Sequence, residues 1–93
     1  MKLTPQLREQ IRLSILRQLD AASIGTYGLG TGLLLSMLRA EGMGSLETEQ
    51  LAAELQYLQD KGFIALPTKL ISPEMKTYRI TADGRDFWAQ HDQ

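Results

Sequence analysis

Apolar side chains recur every third or fourth position through the first two-thirds of the chain and then change period. Leu7, Ile11, Ile15 and Leu19, with Leu16 beside them, form the stripe of a core-facing helix. Thr4 is its natural N-cap, and Pro5 at the first helical position gives up a donor that had no partner there. Residues 21–32 read as a Gly- and Thr-rich connector. A second, shorter helix carries Leu33, Leu34, Met37 and Leu38 and stops at Gly42, which takes the left-handed conformation at little cost. Ser45 is the expected N-cap of a third helix, whose first turn holds Glu47 and Glu49 and whose buried face is Leu51, Leu55 and Leu58, helped by Ala52. Gly62 closes it after Lys61. Phe63, Ile64, Ala65 and Leu66 then form a short apolar run stopped by Pro67, while Thr77, Tyr78, Arg79 and Ile80 alternate. These are two strands of a hairpin joined by a long connection, residues 67–76. Thr81 caps a last helix, from Ala82 to about Gln90, that buries Phe87 or Trp88. The order is helix, helix, helix, strand, strand, helix. It predicts a mainly α protein with a β-hairpin, a winged helix-turn-helix forming one domain over residues 1–93, with residues 42–45 as the turn of the helix-turn-helix.

Composition narrows the function classes. A 93-residue chain that is 43% hydrophobic supports one small core. The absence of cysteine excludes disulfides and thiolate metal sites. The first residues lack the apolar core of a secretory signal, and the longest apolar stretch, around Leu33 to Leu38, falls far short of a bilayer span. A soluble, cytoplasmic protein is expected. Net charge is −1, but it is unevenly spread. Residues 41–60 hold five acids and no base, whereas residues 61–85 hold five bases and two acids.

Little in the chain suggests catalysis. Gly28, Gly30 and Gly32 lack both the preceding strand of a dinucleotide fold and the Gly-Lys-Ser/Thr end of a P-loop. They read as the approach to the second helix, where Thr31 and the helix N-terminus offer a place for a DNA phosphate. His91 has no ligand companions and reads as a solvated tail residue; Glu47 and Glu49 face different sides of a helix. No catalytic residue, metal site or cofactor is expected. Lys69, Lys76 and Arg79 cluster on the hairpin, with Arg79 facing outward between Tyr78 and Ile80. They suit phosphate contacts, or equally a solubilising strand edge. Thr48, Gln50 and Tyr57 are the uncharged groups of the third helix that could reach base edges or a protein partner. Leu13, nearly opposite the first helix's stripe, is an exposed surface leucine or the contact of a homodimer.

Two segments resemble known proteins. The stretch Leu55-Gln56-Tyr57-Leu58-Gln59-Asp60-Lys61-Gly62-Phe63-Ile64 is similar to the end of a recognition helix running into a wing. Tyr78-Arg79-Ile80-Thr81-Ala82-Asp83-Gly84-Arg85 resembles the start of the last helix in winged-helix regulators of the MarR, PadR and ArsR types. With Arg12 to Leu19, the paired Leu33-Leu34, and Glu54 to Leu58, the chain further resembles small winged-helix proteins of Mu-like prophages. The resemblance implies a dimeric DNA-binding regulator of phage type, its third helix in the major groove of double-stranded DNA and its wing on the backbone. Against that pattern, the third helix carries Glu47, Glu49, Glu54 and Asp60 and no base before Lys61, which opens a second reading: a protein-interaction module that does not bind DNA.

Overall fold

The computed structural model describes residues 2–22, 29–66 and 77–91. Helix α1 (Pro5–Ala21) starts where its cap places it, with the Leu7 amide donating to the Thr4 hydroxyl at 3.1 Å. Ile11, Ile15, Leu16 and Leu19 are buried on one face, and Leu7 is half-buried at its edge. Helix α2 (Thr31–Ala40) buries Leu34, Leu35 and Leu38. The expected stripe is therefore rotated by one residue: Leu35 turns inward, Met37 is half-buried and Leu33 is 54% exposed. Three consecutive leucines left the choice of face to packing. Gly42, at φ 109°, ends α2.

Helix α3 (Thr48–Asp60) starts later than expected, with Glu47 rather than Ser45 as N-cap. Leu46 is fully buried, and its carbonyl accepts from Arg39 Nε at 3.0 Å and Nη2 at 2.8 Å, which holds residues 45 and 46 out of the helix. Glu47 and Gln50 then form a reciprocal capping box, the Glu47 amide donating to Gln50 Oε1 at 3.0 Å. The turn of the helix-turn-helix accordingly runs over residues 41–47 rather than 42–45. At the other end Gly62, φ 78°, reverses the chain, as expected.

The two expected strands, β2 (Ile64–Ala65) and β3 (Thr77–Ile80), pair antiparallel, Ile64 opposite Ile80 and Ala65 opposite Arg79. A third strand, β1 (Leu29–Gly30), lies in the stretch read as a connector and pairs with the other edge of β3, Leu29 opposite Tyr78. The order is β1-β3-β2. Two residues, one of them glycine, offer no alternation to read.

Helix α4 (Ala82–His91) is tied to the end of α3 through Thr81. The Thr81 hydroxyl accepts from the Gly84 amide at 3.1 Å and donates to the Gly62 carbonyl at 2.6 Å, while the Thr81 amide donates to the Phe63 carbonyl at 3.0 Å. One apolar cluster joins Ile11, Ile15 and Leu16 of α1 to Leu34 and Leu38, Leu51, Leu55 and Leu58, and Ile64, Tyr78 and Ile80. Phe87 and Trp88 both pack, half-buried, against it. This is a winged helix-turn-helix.

Candidate nucleic-acid interface

The side of α3 turned away from the core shows Glu49, Ala52, Ala53, Gln56 and Asp60, all exposed, with Thr48 exposed at its start. Asp60 accepts a hydrogen bond from Gln56 Nε2 at 2.8 Å. Glu54 is not on this surface. Its side chain is fully buried and faces α1, where Arg8 Nε donates to Oε1 at 2.9 Å and Arg12 Nε to Oε2 at 3.2 Å, with Arg12 Nη2 adding a bond to Oε1 at 3.3 Å. The count of four acids presented by this helix is thus corrected. Glu54 is spent on a buried ion triad, because a carboxylate without water needs charge-assisted donors around both oxygens. Glu47 serves as the cap. Glu41, the first residue of the helix-turn-helix turn, is held by Arg17 and Gln18 of α1.

Of the residues singled out on α3, Thr48 faces solvent, and Gln50 is half-buried with its side-chain carbonyl engaged in the capping box. Tyr57 is 38% exposed at the edge of the face, with the Arg12 guanidinium 3.7 Å from its ring centroid and Lys61 Nζ at 5.6 Å. Sequence reasoning did not single out Gln56 and Ala53, and it set Ala52 on the buried face, whereas Ala52 is exposed with them. They lie opposite Leu51, Leu55 and Leu58 on the helix, so the 3.6-residue period could have found them. It also passed over Arg39, whose guanidinium fastens α2 to the chain just ahead of α3 through Leu46 and makes no ion pair with any described residue.

Arg79 is exposed on β3 between buried Tyr78 and Ile80, in the outward orientation its alternation predicts. Lys69 and Lys76 lie outside the described residues. Thr31 opens α2 half-buried, after an N-cap, Gly30, that makes no side-chain capping bond. Leu13 differs from expectation. It is half-buried rather than exposed, because α4 packs across α1, and it lines a groove of about 360 Å³ with Met43, Trp88 and His91. His91 is exposed, with its ring against Phe87 at a centroid distance of 4.2 Å.

With helices, sheet and outward face in place, the architecture can be set beside known structures. It is similar to SSV1 F-93. The crystal structure of F-93 overlays with a TM-score of 0.64 and 22% sequence identity, covering 96% of this chain and 87% of that one. The likeness is one of fold and transfers no residue roles. The chain matches no protein-family profile and no curated protein sequence. Among the described residues no helix is long and apolar enough to cross a membrane.

Proposed function

We propose that the protein binds double-stranded DNA as a homodimeric transcriptional regulator of the phage or prophage type. In this reading α3 enters the major groove, with Thr48, Gln50 and Tyr57 near base edges and Gln56 between them. Arg79, with Lys69 and Lys76 of the wing, contacts phosphates, and Thr31 at the start of α2 takes another. The observation that carries the reading is the inward turn of Glu54. With that charge neutralised by Arg8 and Arg12, the middle of the outward face of α3 is Ala52, Ala53 and Gln56, small and uncharged, with carboxylates at its ends. No catalysis, metal or cofactor enters, and the expected location is the cytoplasm.

Reversing two wing charges, Lys76→Glu with Arg79→Glu, is expected to weaken binding to duplexes of any sequence. Each lost phosphate contact lowers the slope of log affinity against log salt by about 0.9, so the double variant should lose roughly two units. Fluorescence anisotropy across a salt series measures both. An unchanged affinity and slope would remove the wing from the interface. A second reading, a protein-interaction module without DNA contacts, is favoured by the solvent-facing Glu49 and Asp60. Complete absence of salt-sensitive binding to random duplex at low salt would select it.

The homodimer in this reading joins through the groove of Leu13, Met43 and Trp88. Leu13→Arg is expected to convert dimer to monomer in sedimentation equilibrium, since a buried unpaired charge at an association surface is costly. A wild-type protein that is monomeric at every concentration, or a variant that stays dimeric, speaks against this surface.

A further inference from the structure

Asp60 stands one turn after Gln56 on the outward side of α3, and Gln56 Nε2 donates to its Oδ1 at 2.8 Å. Both residues are exposed. At the pitch of an α-helix Gln56 falls near the centre of this side, between Ala52 and Ala53 and two turns after Glu49. Ala52 and Ala53 carry only methyl groups, so the Gln56 amide projects furthest from the middle of the face. The hydrogen bond fixes the order of its atoms as well as its place. A carboxylate only accepts, so the amide must turn its NH2 group toward Asp60, and one of the two Nε2 protons is thereby used. What remains is one N–H beside one carbonyl oxygen, neither of them bonded to any other described residue.

That donor and acceptor have one complement between the two purines. In the major groove adenine offers the N7 acceptor and the N6 amino donor, which a glutamine amide meets with both groups at once. Guanine offers two acceptors, N7 and O6, and a glutamine reaches both only by giving them its NH2 group. With one proton held by Asp60, that turn would break the Gln56–Asp60 bond or set the carbonyl oxygen against O6. The usual readers of guanine, Arg and Lys, are absent from Thr48–Asp60. We infer that Gln56 reads an adenine in the major groove and that Asp60 is its positioning residue, holding the amide in the order that suits adenine and not guanine. This rests on the reading above in which α3 enters the major groove. Asp60 then has two opposed effects. Its charge repels phosphates and weakens binding to every duplex, while its hydrogen bond sharpens the choice of base.

The test selects duplexes from a random library with the full chain, then measures affinities for the selected site and its single-base variants by fluorescence anisotropy at fixed salt. The wild type should enrich adenine at a fixed position, and guanine there should weaken binding by about tenfold, the size of one bidentate pair. Replacing that adenine by 7-deazaadenine, which lacks the N7 acceptor, should also weaken binding several-fold. Gln56→Ala, an exposed change, should bind the adenine and guanine sites equally. Asp60→Ala should move two readouts in opposite directions: tighter binding to random duplex, and an adenine preference several-fold smaller. Glu49→Ala removes the same charge from the same face but leaves Gln56 its partner, so it should tighten random binding and keep the preference. An adenine preference that survives Gln56→Ala, or that Asp60→Ala leaves as intact as Glu49→Ala does, overturns the assignment. DNA binding with no adenine preference overturns it alone, whereas no salt-sensitive binding to any duplex removes the DNA reading and this inference together.

Discussion

A protein in which Arg8 and Arg12 are both replaced by Met is expected to lose about 3–5 kcal/mol of folding stability, the usual cost of leaving a buried charge without its partners. Glu54 has no accessible surface, and the hydrogen bonds recorded for its carboxylate come from these two arginines on the facing helix. Neither arginine is deeply buried; their side chains are 47% and 21% exposed. The damage therefore falls on the orphaned carboxylate rather than on lost packing. A domain of this length has about 5–14 kcal/mol in total, so the loss is a large share of it. Adding Glu54→Leu to the double variant should restore most of that loss, because an apolar replacement of a whole buried ion cluster is often neutral or better. Urea denaturation midpoints of the wild type, the double and the triple variant measure this. A double variant within about 1 kcal/mol of wild type would mean that Glu54 is hydrated or finds other donors.

Gly84→Ala should have the opposite sign from an ordinary helical Gly→Ala change. In an exposed helix interior the substitution gains about 1 kcal/mol from backbone propensity. Here a Cβ would stand 2.1 Å from the Phe63 carbonyl oxygen and 3.0 Å from Ile80 Cγ1. The first neighbour is backbone, anchored by the Thr81 amide, and cannot swing aside as a side chain would. Overpacking costs about 1–3 kcal/mol and more where relaxation is blocked, so the steric penalty exceeds the propensity gain. A net loss of about 2 kcal/mol would lower the melting temperature by roughly 8–16 °C in a domain of this size. Differential scanning calorimetry gives the answer, and a melting temperature that rises would show that α4 does not sit this close to Phe63.

Local chemistry along the chain is legible in the sequence, and choices made by packing are not. Thr4, Thr81, Gly42 and Gly62 could be read correctly as caps and stops, because capping depends on the residue itself and its nearest neighbours along the chain. The buried face of α2 could not be read as securely, since Leu33, Leu34 and Leu35 all satisfy the period and only the facing helices choose among them. Ser45 is a good cap by chemistry, yet Arg39 reaching Leu46 and the Glu47–Gln50 box move the helix start beyond it. Glu54 left a signal that charge alone hides: it stands three residues after Leu51 and four before Leu58, inside the apolar stripe, while Arg8 and Arg12 are one helical turn apart on α1. The wing could be read only in part. Arg79 faces outward as its alternation requires, and Lys69 and Lys76 lie outside the described residues.

Because β3 is the middle strand, it is shared property. Tyr78 is registered against Leu29 at the threshold of α2, and Arg79 and Ile80 against Ala65 and Ile64 at the exit from α3. A displacement of β3 is thereby transmitted through this one rail to both members of the helix-turn-helix at once, and bears on their mutual angle.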